Sequence, residues 1–148
     1  MSTLARILIF GSVSGLLWSV APGVLDDLFS RRADVPATIV ASVVSGIITA
    51  AVLGAVVTRF GLGPAVGFGL LSLPFGAFVF GFSLALITRF LPALTCGTRA
   101  VIEPWKLGAD YVFLSVFTVL AVGLFPIAVV TTLLLRSFIL RGRPPAGG

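Results

Sequence analysis

The feature that most constrains this chain is a succession of four long apolar runs with no charge at their centres. A helix needs about 20 apolar residues to cross a hydrocarbon core of about 30 Å. The runs predict spanning helices over about 4–21, 35–58, 64–88 and 110–135. Arg6 stands near the start of the first, and Pro22, Gly23, Asp26 and Asp27 end it. Asp34 is placed to cap the second, Pro36 to sit in its first turn, and Arg59 to close it. Arg89 and Arg136 close the third and fourth. The expected fold is an all-α integral membrane protein, a four-transmembrane-helix bundle forming a single domain over residues 1–141. The Pro/Gly-rich tail 142–148 is expected to be disordered.

Composition agrees. Hydrophobic residues make up 58% of the 148, and charged residues 10%, where a soluble domain carries about a quarter. Such a chain has too few charges to cover a water-facing surface, whereas lipid accepts an apolar one. The first run has a basic residue, an apolar stretch and Ser19-Val20-Ala21, the outline of a cleavable signal. Pro22 would follow that cut directly, and Trp18 suits an interfacial helix end, so residues 1–21 are expected to be retained.

The chemistry that is missing narrows the function classes. There is no histidine, so the commonest general base, metal ligand and membrane-haem ligand are all lacking. The single cysteine, Cys96, has no histidine to activate it. Asp26 and Asp27 read as solvated turn residues, and Glu103-Pro104 reads as a turn. The glycine rhythm Gly61, Gly63, Gly67 lacks the lysine of a phosphate-binding loop and reads as the turn between the second and third helices. No catalytic residue, metal site or cofactor is expected. The charge of +5 is spread over segment ends, as snorkelling anchors require, and implies no nucleic-acid partner.

Small residues mark where helices meet, because lipid gives no hydrophobic drive for their association. The expected packing positions are Gly11 and Gly15 on the first helix, Ser42, Gly46, Ala50 and Gly54 on the second, and Gly69, Ser72 and Gly76 on the third. The fourth helix, dense in Val, Leu and Phe, is expected to be the most peripheral, with the core in the first three. Pro74 and Pro126 are expected to kink their helices. Trp18, Trp105, Lys106 and Tyr111 are expected as interfacial anchors.

A non-enzymatic membrane subunit, packing through small-residue faces against a larger membrane complex or a second copy of itself, is therefore the expected function. The alternative is a small oligomeric channel or carrier for ions or small solutes. The expected setting is the lipid bilayer of a bacterial inner membrane or an organelle. With four helices, Arg6, Arg59, Arg136, Arg141 and Arg143 share one side, and Arg31, Arg32, Arg89, Arg99 and Lys106 the other. The two sides are tied, so the positive-inside rule does not choose between them. All five acids lie on the second side, so both termini are expected in the cytoplasm, and the tied count leaves open a dual topology with two copies inserted in opposite senses. A membrane-impermeant maleimide should then label Cys96 in intact cells. Labelling only after permeabilisation would reverse the orientation.

Overall fold

A computed structural model describes residues 2–20, 35–91, 103–117 and 121–141, which are almost entirely helical. The elements are α1 (Thr3–Trp18), α2 (Val35–Val57), α3 (Leu62–Phe90), α4 (Pro104–Phe117) and α5 (Ala121–Leu140). Three helices are long and apolar enough to cross a membrane: α2, α3, and α5 from Val122. Cys96, the acids Asp26, Asp27 and Asp34, and the tail 142–148 lie outside the described residues.

Two described helix bounds differ from the expected spans. The first, expected over 4–21, is a 16-residue helix, about 24 Å at 1.5 Å per residue. It falls short of the length a single span requires. Ser2 caps it, accepting a hydrogen bond from the Ala5 amide at 3.2 Å. The run 110–135 falls on α4 up to Phe117 and on α5 from Ala121, and residues 118–120 lie outside the described ones. Moreover, α4 starts at Pro104, well before the expected 110. Glu103-Pro104 is its N-terminus, not a free turn, with the Glu103 carbonyl accepting from the amides of Lys106 and Leu107. Proline at a first helical position loses nothing, because that amide has no intrahelical partner anyway.

At 29 residues α3 extends about 43 Å, and its two halves are covered by different helices, α4 and α5. Its second half meets α4, where a Cβ built on Gly81 would come within 2.6 Å of the Leu107 carbonyl oxygen and 2.9 Å of the Gly108 Cα. Its first half meets α5, where a Cβ on Gly69 would come within 2.8 Å of the Val129 Cα.

The apolar cores follow the same division, and this corrects the expected core. One core joins Ala37 and Ala41 of α2, Phe80, Leu84, Ala85 and Ile87 of α3, and Leu107 and Tyr111 of α4. The other joins Ala50, Leu53 and Val57 of α2, Ala65 of α3, and Leu135 and Ile139 of α5. The centre is therefore α2 and α3, and α1 adds only the half-buried Ile7 and Phe10. Among the three long helices α5 is nonetheless the least buried. One end of the bundle is tied by arginines. Arg6 donates to the Phe138 carbonyl at 2.7 Å and lies over the Phe138 ring, and Arg136 donates to the Phe60 carbonyl at 3.4 Å. A cation at the last carbonyls of a helix also satisfies groups the helix leaves unpaired.

Gly81→Leu should lower thermal stability in detergent, because overpacking against backbone costs about 1–3 kcal/mol. Gly123→Leu should not, because among the described residues nothing lies within 4 Å of a Cβ built there. Equal melting temperatures would refute the α3–α4 contact.

Candidate functional site: a hydroxyl-lined cavity inside the bundle

The expected packing positions fall into several contacts. Gly11, Gly15 and Gly46 meet one another, and α1 and α2 touch there through backbone alone. A Cβ on Gly46 would strike the Gly11 carbonyl oxygen and come within 2.7 Å of the Gly15 Cα. A Cβ on Gly15 would strike the Ser42 carbonyl oxygen, and one on Gly11 would lie 2.6 Å from the Ile47 Cα. Further along α2 the row turns from α1 toward α5. Gly54 faces Ile139 and Ile7, at 3.0 and 3.4 Å from a built Cβ, and Ala50 lies in the second core. Such a row drifts about 40° per four-residue step, so its ends serve different neighbours.

Gly76 and Ser72 of α3 lead into a cavity of about 130 Å³ bounded by all five helices. Nine of its lining residues carry a hydroxyl, and no charged side chain lines it among the described residues. Ser45 and Thr49 line it from α2, and Ser115 and Thr132 from α4 and α5. Most of these hydroxyls donate to backbone carbonyls. Ser45 reaches across to the Gly76 carbonyl at 2.8 Å. Ser72 bonds Gly69 at 2.6 Å, Thr132 bonds Ala128 at 2.9 Å, and Thr131 bonds Ile127 at 2.7 Å. Back-bonding of this kind satisfies a serine or threonine where water is absent.

Two hydroxyls are exceptions. The Oγ of Ser42 and the Oγ1 of Thr49 are buried and have no hydrogen-bond partner. Both residues line the cavity. A buried hydroxyl without a partner costs about 1–3 kcal/mol by protein mutational data, so these two mark the polar side of the space.

The cavity shares Phe10, Ser14, Trp18, Leu124 and Thr131 with an apolar groove of about 550 Å³ between α1 and α5. Trp18, expected as an interfacial anchor, lines both spaces. Trp105 does stand largely exposed at the start of α4, packed on Phe78 and Phe82, with Lys106 exposed beside it. Tyr111 does not join them. It is buried and meets Phe80 edge-on at 4.8 Å. Six residues beyond Trp105, it points about 240° around the helix, toward α3.

Sequence reasoning missed Gly81, Gly108, Ser45, Thr49 and Thr132. Gly108 lies in a stretch expected as a connection, and isolated serines and threonines in apolar runs carry no pattern to single them out. No protein-family model matches the chain, and neither does any curated protein or solved structure.

Proposed function

We propose that the chain is a non-enzymatic membrane subunit that assembles, through a small-residue face of α3, with a larger membrane complex or a second copy of itself. One observation carries this reading. Gly63 and Gly67 stand four residues apart on the first turns of α3, exposed, with nothing within 4 Å of a built Cβ. Their spacing suggests a turn, but α3 begins at Leu62 and takes them into the helix.

Glycine in a helix interior costs roughly 0.5–1 kcal/mol relative to alanine. At Gly11, Gly15, Gly46 and Gly81 that cost is offset by a close backbone neighbour within the chain. At Gly67 no neighbour among the described residues offsets it, as at Gly123 of α5, but only Gly67 has a second exposed glycine, Gly63 in the first turn of α3, four residues away. A G-x-x-x-G pair on a membrane helix lets a second helix approach at backbone distance. Ala51 and Ala55 repeat the same spacing on the exposed side of α2. With both termini in the cytoplasm, this face lies toward the cytoplasmic side of the bilayer.

The second reading, a small oligomeric channel or carrier, draws on the cavity. Its lining favours neutral solutes over ions, since an ion leaving water needs charges or many aligned dipoles along its path.

The test is a Gly63→Leu/Gly67→Leu double variant of the full chain, purified in mild detergent and in lipid nanodiscs. The wild type should run as a dimer or with a stoichiometric partner, and the variant should lose that assembly at an unchanged melting temperature. A monomeric wild type without a partner, or a variant that keeps its assembly, would contradict the subunit reading.

A further inference from the structure

We infer that the cavity and the groove beside it form one binding site for an uncharged, hydroxyl-headed, single-chain lipid of the monoacylglycerol kind. The head would sit among the hydroxyls and the chain between α1 and α5. This goes beyond the assembly face on α3 and does not depend on it.

Three observations converge on that class. The first is the pair of partnerless hydroxyls. Ser42 is only 4% exposed, and neither its Oγ nor the Thr49 Oγ1 has a partner among the described residues. A hydroxyl offers one donor and two acceptor lone pairs. Most other hydroxyls of the wall spend their proton on a backbone carbonyl, which leaves their oxygens as acceptors. The wall therefore holds two hydroxyls without a partner beside a set of acceptors, and because both oxygens are closed off in the structure, a ligand reaches them through a turn of the side chain about χ1. A head with hydroxyls of its own answers both halves of this pattern. A carbonyl alone would answer only the donors.

The second observation is charge and size. No Asp, Glu, Lys or Arg lines the cavity or the groove among the described residues. A carboxylate or phosphate head would lose its hydration there and gain no counter-charge, which is costly in a medium of low dielectric. A cavity of about 130 Å³ approaches the roughly 150 Å³ known to admit a benzene ring. A glycerol head has the same number of heavy atoms as that ring.

The third is continuity. The groove leaves the cavity past Ser14 and Thr131 and runs between Val13, Leu17 and Val20 on one side and Ile127 and Leu134 on the other. Each of these apolar residues has more than half of its surface exposed. They flank a path open to the bilayer, through which an amphiphile enters sideways without its head crossing the membrane. A polar solute without a chain would leave this groove unused.

The test uses the full-length protein in phosphatidylcholine nanodiscs with three diazirine photoprobes of equal chain length: a monoacylglycerol, a fatty acid and an alkane. The monoacylglycerol should give adducts along the cavity-facing stretches of α1, α2 and α5, and unlabelled monoacylglycerol should compete them away. The fatty acid and the alkane should label these stretches far less. Ser42→Ala/Thr49→Val should weaken the competition about tenfold or more, as expected for two lost hydrogen bonds, with a melting temperature at or above that of the wild type, since two partnerless buried hydroxyls are removed. Thr49→Val alone should show a smaller loss in the same direction. Equal labelling by all three probes, adducts confined to lipid-facing residues, or full competition in the double variant would overturn the inference. None of these outcomes bears on whether the Gly63/Gly67 variant loses its assembly, so the two readings fail separately.

Discussion

The backbone contact between α1 and α2 is the interaction on which the rest of the arrangement depends. In a bilayer, apolar side chains gain nothing by leaving lipid for protein, so helices associate only where packing is closer than lipid allows. Gly11, Gly15 and Gly46 provide that closeness, with no side chain between the two backbones. A helix of 16 residues is too short to hold a spanning position by its own hydrophobic length. Its place is set by α2 on one flank and by the Arg6 tie to the end of α5. Because α1 is drawn toward α2, its opposite flank stands away from α5, and the groove opens there.

How much of this was legible in the sequence depends on the kind of signal each element carries. Long apolar runs report α2 and α3 almost to their ends, because hydrocarbon thickness imposes a length that composition displays directly. The start of α4 at Pro104 was not legible, because Glu103-Pro104 reads as a turn until the helix that follows it is seen. Glycine spacing pointed to Gly11, Gly15 and Gly46, which do come together. It said nothing of Gly81 and Gly108, since a single glycine on each of two distant segments makes no pattern. The cavity was the least legible feature. Its hydroxyls come from all five helices, and each alone is an ordinary serine or threonine in an apolar run.

The two functional readings use different surfaces of one molecule. Inside the bundle, glycines exchange helix propensity for backbone contact, and hydroxyls turn to carbonyls to stay satisfied. The exposed pair Gly63 and Gly67 meets nothing among the described residues, and this supports a neighbouring helix. Ser42 and Thr49 hold hydroxyls without a partner among the described residues, and this supports a ligand. Holding a partner and a neutral lipid demands only shape and hydrogen bonds.

The most direct measurement of the central claim is the thermal unfolding of Gly46→Leu in detergent, set against Val44→Leu on the exposed side of the same helix. If α1 and α2 meet through backbone, Gly46→Leu must force them apart and lower the melting temperature clearly, while Val44→Leu leaves it unchanged. Equal melting temperatures for the two variants would contradict the contact, and with it the placement of α1, the groove and the cavity wall.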